Sequence, residues 1–452
     1  MTASPAAPGS VALVVGLGVT GEAVARHLTN RGVRVVLVED APSDRTRARA
    51  AALGPAVELV ERPGLDRLET LLAGVDLVVP SPGVPHAHPV YELAAAAGVP
   101  LVSEVELAAM ATTRPIVAVT GTNGKTTVTT LITAMLAAAG RKAAAAGNIG
   151  LPLVDAATAD VDVLVAEVSS FQLQYTDTFH PSVAVWLNVA EDHLDWHPSF
   201  EHYAAAKSRI WRNQGRGDVA VANAEDPVVM DAARSARGSV VTFGVDTGDY
   251  HVDRRRGALV TPAGDEIVAV ADLPRSLPHD LANDLAAVAA SVAAGADLAA
   301  CRSVLLTFGG LPHRVQLVRD AGGVRYYDDS KATTPASVVA ATRGFDSVVL
   351  IAGGRNKGLS LGALADTADR VRVVVAIGEA AAEVEAAFAG VRPVTRAASM
   401  DDAVTQARDL ARPGDVVLLS PGCASFDQYA SYAARGDDFV RAVTEHVGNG
   451  AE

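Results

Sequence analysis

Apolar residues along this chain fall into short unbroken runs rather than strict alternation, and the stretches between them have helical spacing. VALVVGLG (11–18) is the first run, VRVVLVED (33–40) the second, and VDLVVPSPG (75–83) a later one that ends in turn residues. Unbroken runs bounded by turn signals suit strands buried on both faces, and strand–helix–strand at this spacing predicts a small parallel sheet. LVSEVELAAMATTR (101–114) reads as a helix leading into a linker. A second block opens with PIVAVTGTNGKTT (115–127) and continues with the runs DVLVAEVSS (162–170) and SVAVWLNVAED (182–192). An amphipathic helix is expected near 199–214, and the run DVAVANAED (218–226) follows it. The pattern turns hairpin-like around 250–275, and a helix over about 280–295 closes the block. The third block begins near Leu311 and carries strands at 347–353, 371–378 and 415–420. No short fixed period repeats along the chain.

The 452 residues exceed one ordinary core, and a composition of 49% hydrophobic and 20% charged residues is globular rather than disordered. A formal net charge of −14 disfavours nucleic acid as a partner, because no basic block offsets repulsion from phosphate. Screening confines exposed charges to about 8 Å at physiological salt, so a few local cations can still bind an anionic small molecule. Cys301 and Cys423, with no CxxC spacing, argue against a disulfide framework or a cysteine zinc site and suit a reducing cytoplasm. The opening MTASPAAPGS lacks the basic and apolar regions of a signal peptide, and no stretch reads as a membrane span.

TGTNGKTT (120–127) carries the strongest chemistry. An apolar strand runs into a glycine-containing loop and then into a helix with Leu131, Ile132, Met135 and Leu136 on its apolar side. Backbone N–H groups of Gly121, Thr122, Asn123, Gly124 and Thr127 at such a junction can surround phosphate oxygens, and the helix dipole favours that charge. Lys125 adds a point charge, and Thr126 offers a hydroxyl to Mg²⁺. Val119 stands where the strict phosphate-loop pattern has glycine, which marks a variant loop. Glu167 and His193 fall at or just beyond the C-terminal ends of expected strands, where open parallel sheets form ligand crevices, and could hold a divalent cation there. Lys207 shares a helix face with Tyr203, and by spacing alone it reads as an ordinary solvated lysine.

GLGVTG (16–21) satisfies G-x-G-x-x-G after a strand, with Glu39 and Asp40 about 20 residues on. Alone this fits a nicotinamide-dependent oxidoreductase. Any pyrophosphate can use the same helix N-terminus, however, and a dehydrogenase leaves the second phosphate loop unexplained.

TGTNGKTT, GNIG (147–150), EVSSFQ (167–172), NVAEDHLDWH (188–197), YAAAK (203–207), PHR (312–314), DDSKAT (328–333) and SPGCASFDQY (420–429) occur in the order seen in the Mur ligases, which the chain resembles over nearly its whole length. The last two motifs are most similar to those of the members that add D-glutamate to UDP-N-acetylmuramoyl-L-alanine in peptidoglycan precursor synthesis. The resemblance implies an α/β fold of three domains: an N-terminal Rossmann-like uridine-nucleotide domain (1–104), a central P-loop ATPase domain (105–310) and a C-terminal Rossmann-like domain (311–452) that brings the amino acid. It implies UDP-substrate contacts from Gly18, Val19, Thr20, Asp40, Ser81, Pro82, Gly83 and Asn148, the acid being either Asp40 or its neighbour Glu39. Lys125, Thr126, Asn283, Arg314 and Asp329 would serve ATP. Thr126, Glu167, His193 and Lys207 would organise two Mg²⁺, with Lys207 carbamylated by CO₂, which turns a cation into an anionic oxygen ligand. Thr333, Lys357, Ser425 and the Tyr432 ring would bind D-glutamate, with Lys331 near the reacting groups. Asp280 in HDLAN replaces the usual Asn, Thr334 follows SKAT where Asn is common, and Tyr432 stands for the familiar Phe.

The chemistry implied is ligation through an acyl phosphate in a cytoplasmic monomer. Hydroxide is a poor leaving group, so the carboxylate is first phosphorylated by ATP and then attacked by the amine. The protein's task is positioning and charge neutralisation, with closure of the domains excluding water. A catalytically dead regulator is disfavoured because the lysine, threonine, glutamate and histidine positions are all filled.

Overall fold

A computed structural model describes residues 6–194 and 196–448. The chain forms two compact units. The first takes the chain up to Val189, then Trp196–Leu273 and Ala282–Thr307. The second takes 190–195, 274–281 and the chain from Phe308 onward.

Two parallel sheets organise the first unit. One contains β1 (Val11–Val15), β2 (Arg34–Glu39), β3 (Val57–Glu61) and β4 (Leu77–Pro80) in the order β3-β2-β1-β4. Period-two alternation divides its side chains between two layers: Ala12, Val14, Val35 and Leu37 enter one core, and Leu13, Val15, Val36 and Val38 enter the other. With both faces covered by apolar packing, β1, β2 and β4 need nearly unbroken apolar runs, whereas the half-exposed edge strand β3 reads VELVE.

The other sheet contains β5 (Ile116–Thr120), β6 (Ala143–Gly147), β7 (Val163–Glu167), β8 (Val183–Trp186), β9 (Val219–Asn223) and β10 (Ser239–Phe243) in the order β10-β9-β8-β5-β7-β6. The edge strand β6 reads AAAAG, a composition with helix propensity; its pairing with β7 overrides that preference. A three-stranded antiparallel sheet of β11 (His251–Asp253), β12 (Ala258–Val260) and β13 (Glu266–Ala269) accounts for the hairpin-like stretch.

The helix expected over 199–214 is shorter, Phe200–Ser208 followed by a 3₁₀ turn, and it is not amphipathic. Its inward side mixes Tyr203, Ala204 and Ala206 with a lysine, Lys207. The run 182–192 also stops early as a strand, at Trp186, so His193 lies in irregular chain well beyond it.

The second unit holds one sheet in the order β14-β15-β19-β16-β17-β18: β14 (Gln316–Ala321), β15 (Val324–Asp328), β16 (Val348–Gly353), β17 (Val371–Ile377), β18 (Val394–Arg396) and β19 (Val416–Gly422). All pairs are parallel except β14 with β15. Apolar clusters cover both faces. Among the described residues no helix is long and apolar enough to cross a membrane. Cys301 and Cys423 are buried free thiols, pushed up to about 12 by burial and therefore poor nucleophiles.

Candidate active site

The first glycine motif forms a tight turn between β1 and the helix Val19–Asn30. Gly16 has φ +85°, and a Cβ on Gly21 would lie 1.9 Å from the Gly16 carbonyl oxygen, so both positions require glycine. Ser81 Oγ donates to the same carbonyl at 2.8 Å. Above Gly18 the space is open, and the helix begins with no side-chain cap, which leaves its first N–H groups aimed outward. A cleft of about 530 Å³ lies here, within the size range of small-ligand sites, lined by Gly18, Val19, Thr20, Asp40, Ser81 and Asn148 among others. Pro82 and Gly83 line it too, so the eight residues expected to hold the UDP-substrate share one cavity. The choice between Glu39 and Asp40 becomes physical. Glu39 accepts from the Leu17 and Ala41 amides, both at 2.9 Å, and braces the turn. Asp40 is exposed, its Oδ2 2.9 Å from His88 Nε2.

At the second junction, β5 passes through Gly121–Gly124 into the helix Lys125–Ala138. Gly124 has φ +84°, and a Cβ there would come within 2.5 Å of Asn283 Oδ1, so that amide lies against the loop. Asn188 holds the loop from below. Its Oδ1 accepts from the Thr122 and Asn123 amides (3.1 and 2.9 Å), and its Nδ2 donates to the Asn123 carbonyl (3.2 Å). Lys125 Nζ donates to the carbonyls of Gly121 (2.8 Å) and Thr122 (2.9 Å). Lys207 is not solvated: it is 1% exposed, and its Nζ donates to the same Gly121 carbonyl at 2.8 Å. The Tyr203 ring lies 4.5 Å from that Nζ, and the Tyr203 hydroxyl meets Thr122 Oγ1 at 3.1 Å. Two ammonium groups thus converge on one carbonyl of a loop shaped for anions.

Glu167 ends β7 and is 3% exposed. Its Oε1 accepts from Asn148 Nδ2 (2.9 Å), while Oε2 has no hydrogen-bond partner among the described residues. A buried carboxylate oxygen left so is costly unless a cation completes it. Asn148 therefore borders the cleft and also steers Glu167. His193 belongs to the other unit by position (190–195), where it adopts φ +55° with its amide donating to Asp192 Oδ1 at 2.9 Å.

In the second unit, the chain after β15, β16 and β19 carries the remaining candidates apart from Arg314, which precedes β14. Arg435 is buried and joins them. Its guanidinium donates to Ser330 Oγ (3.0 Å), the Ser330 carbonyl (2.8 Å) and the carbonyls of Cys423 (3.2 Å) and Ala424 (3.3 Å). The segment after β16 that leads to Lys357 is tied in by paired backbone bonds between Arg355 and Ala424. Lys331 Nζ lies 4.0 Å from the Tyr432 ring centroid, and Ser425 is buried; Asp329, Lys331, Thr333, Lys357, Ser425 and Tyr432 fall on segments that follow the C-terminal ends of the parallel strands β15, β16 and β19.

Asp329 accepts from Ser420 Oγ (2.8 Å) and the Val315 amide (3.3 Å), and burial pushes its carboxyl up to about 7. Asp328 is also raised by burial, against the pull of His313 Nδ1 at 2.7 Å; a Cβ on Gly436 would lie 2.2 Å from that nitrogen. Arg314 follows His313 in the PHR turn.

The three departures from the common pattern acquire local roles. Asp280 pairs with Arg275 (3.0 Å) and accepts from the Leu277 amide (3.3 Å). Thr334 caps the helix Pro335–Thr342 through the Ser337 amide (3.4 Å). Tyr432 keeps a ring for Lys331 to pack on.

Three family models match along the chain: "Mur ligase MurD-like, N-terminal domain" over residues 10–103, "Mur ligase middle domain" over 119–291 and "Mur ligase, glutamate ligase domain" over 313–423. A protein of Frankia casuarinae named UDP-N-acetylmuramoylalanine--D-glutamate ligase is 46% identical, covering 99% of this chain and 97% of its own. The chain belongs to the Mur ligase family. A Desulfosudis oleivorans protein of the same name is 43% identical over 95% of each chain. Among solved structures, a UDP-N-acetylmuramate-alanine ligase of Thermotoga maritima (20% identity, 96% of this chain and 99% of that one, TM-score 0.59) shares the fold. So does a pseudomurein peptide ligase of Methanothermus fervidus (17%, 97% and 99%, TM-score 0.61).

Sequence reading of this Mur ligase missed Asn188 and Arg435. The first sits inside the quoted motif NVAEDHLDWH, where its side chain staples the phosphate loop. The second carried no signal, because an arginine in a helix reads as a surface residue until burial is known.

Proposed function

We propose that this Mur ligase is a cytoplasmic, monomeric enzyme that uses ATP to join D-glutamate to UDP-N-acetylmuramoyl-L-alanine in peptidoglycan precursor synthesis. The observation that carries the ATP half is the convergence of Lys125 and buried Lys207 on the Gly121 carbonyl. The names of the full-length relatives support the choice of substrates.

In this reading three parts divide the work: 1–104 binds the UDP-substrate, 105–310 binds ATP and 311–452 binds D-glutamate. An oxygen of the substrate carboxylate attacks the γ-phosphorus of ATP and ADP leaves. The deprotonated amine of D-glutamate then attacks the acyl carbon of the mixed anhydride, and the tetrahedral intermediate expels inorganic phosphate to leave the amide. The loop 121–127, Lys125, Asn283, Arg314 and Asp329 hold ATP. Gly18, Val19, Thr20, Asp40, Ser81, Pro82, Gly83 and Asn148 hold the UDP-substrate, with the helix N-terminus at Val19 facing its pyrophosphate. Thr333, Lys357, Ser425 and Tyr432 orient D-glutamate, and Lys331 stands near the reacting groups.

Glu167 Oε2, buried and unpartnered, fits a hard divalent cation. Thr126, Glu167, His193 and Lys207 are the residues that would hold two Mg²⁺, whose charge would offset that of the phosphates. Lys207 acts as its carbamate: the ammonium first gives up one proton, the freed Nζ lone pair bonds to the carbon of CO₂, and a second proton leaves, so a cation becomes an anion. A Lys207→Ala variant should then regain part of its activity when short carboxylic acids are supplied.

Phosphate release with UDP-N-acetylmuramoyl-L-alanine and a panel of L- and D-amino acids tests the assignment. D-glutamate alone should support turnover; preference for another amino acid contradicts it. Light scattering of the purified chain should give the mass of one copy.

A further inference from the structure

We propose that His197 is a positioning residue for phosphoryl transfer, placing Lys207 through Tyr203 by way of the hydrogen-bonded chain Ser170–His197–His202. The inference rests on the carbamate reading of Lys207. His197 has no solvent exposure, yet both ring nitrogens have polar partners: Nε2 meets Ser170 Oγ at 2.9 Å, and Nδ1 meets Nδ1 of His202 at 2.9 Å. Ser170 lies three residues past Glu167, in the first turn of the helix Ser170–Gln174. His202 precedes Tyr203 on the helix that carries Lys207. One imidazole thus ties the end of β7, with its orphaned carboxylate oxygen, to the helix holding the buried lysine.

Two facing imidazole nitrogens at this distance accommodate one proton. One ring must donate and the other accept, so the tautomer of either fixes that of its neighbour. The Ser170 hydroxyl can serve as donor or acceptor to complete the chain. Packing fixes the ring as well. His197 lies parallel to Phe171 (5.6 Å, 6°), has its edge against Trp196 (4.6 Å) and is 5.1 Å from the Tyr203 ring. Tyr203 in turn touches Thr122 of the phosphate loop and lies under Lys207 Nζ. Displacement of His197 therefore reaches Lys207 through a single ring. A histidine that served only the core would, on removal, lower stability without changing how the enzyme responds to CO₂.

The test uses the full chain with His197→Ala and His197→Asn. The asparagine offers a short donor and acceptor toward His202. Turnover, KM for each substrate and the unfolding temperature are measured at ambient and at saturating bicarbonate. His197→Ala should lower kcat about tenfold at ambient bicarbonate, in line with the sensitivity of reacting groups to small misplacement, and leave KM for the UDP-substrate unchanged. Saturating bicarbonate should restore most of the loss, and His197→Asn should fall between wild type and alanine. A deficit that bicarbonate does not narrow, or one that merely follows the unfolding temperature, overturns the proposal. Rescue of Lys207→Ala by acetate, run in parallel, separates the two ideas. If acetate rescues while bicarbonate does nothing for His197→Ala, only the positioning role falls; if acetate fails, the carbamate reading falls first.

Discussion

The first unit contains two strand–glycine-turn–helix junctions built to the same local plan, one after β1 and one after β5. At the first, a carboxylate (Glu39) and a hydroxyl (Ser81) brace the turn, the space over Gly18 is open, and the helix begins with no side-chain cap. At the second, an amide (Asn188) braces the loop, another (Asn283) presses on Gly124, and two lysines reach Gly121. The glycine pattern thus specifies a place for phosphate, while the side chains around it decide whether phosphate is held or transferred. Holding needs dipoles. Transfer needs mobile charge neutralised, and the second junction brings Lys125 together with Glu167, the strand-pairing partner of Val119, whose buried carboxylate oxygen is unpartnered among the described residues.

The sharpest way to break this contrast is Lys125→Ala. Turnover should fall about a hundredfold or more, as for other single electrostatic contacts to a transferring group, while calorimetry finds UDP-substrate affinity nearly intact. Equal loss of both would show that the two junctions do not divide the labour. The reciprocal change is Gly21→Ala, whose Cβ would lie 1.9 Å from the Gly16 oxygen. Here the first turn must deform, and UDP-substrate affinity should drop about tenfold or more while ATP affinity holds. Asn188→Ala removes three hydrogen bonds from the second loop and should raise KM for ATP about tenfold or more, since each such bond contributes about 1 kcal/mol and about 1.4 kcal/mol is a factor of ten. An unchanged KM for ATP would mean that the loop holds its shape without the amide.

The smallest effect concerns the helix Glu104–Ala111, which lies between the two junctions in sequence. Glu104 is buried, accepts from the Val154 amide (2.7 Å), and is pushed up to about 7 by burial. Folded protein then keeps a proton that the unfolded chain has already released, so this group makes stability decline as pH rises from about 4.5 to about 7. Glu104→Gln should flatten that decline, with a gain on the order of 1 kcal/mol at pH 8 relative to pH 5, read from unfolding temperatures. Identical slopes in the two proteins would rule it out.

Much of this was legible in the chain because buried parallel strands demand unbroken apolar runs and phosphate turns demand glycine. β6 was hidden by its alanines, whose preference yields only when β7 is there to pair with. Lys207 was the larger gap. Spacing put it beside Tyr203, but a lysine reads as solvated until tertiary packing buries it. The irregular chain after Trp186 likewise carries His193 by loop geometry, which no periodicity encodes. Asp280 and Thr334, odd against the family pattern, turned out to satisfy local partners.

The central claim is that the carboxylate itself takes the phosphoryl group. Substrate labelled with ¹⁸O in both carboxylate oxygens, turned over once with ATP and D-glutamate, tests it most directly by mass spectrometry of the released phosphate. The account predicts one labelled oxygen in each inorganic phosphate. Phosphate with no label would contradict it.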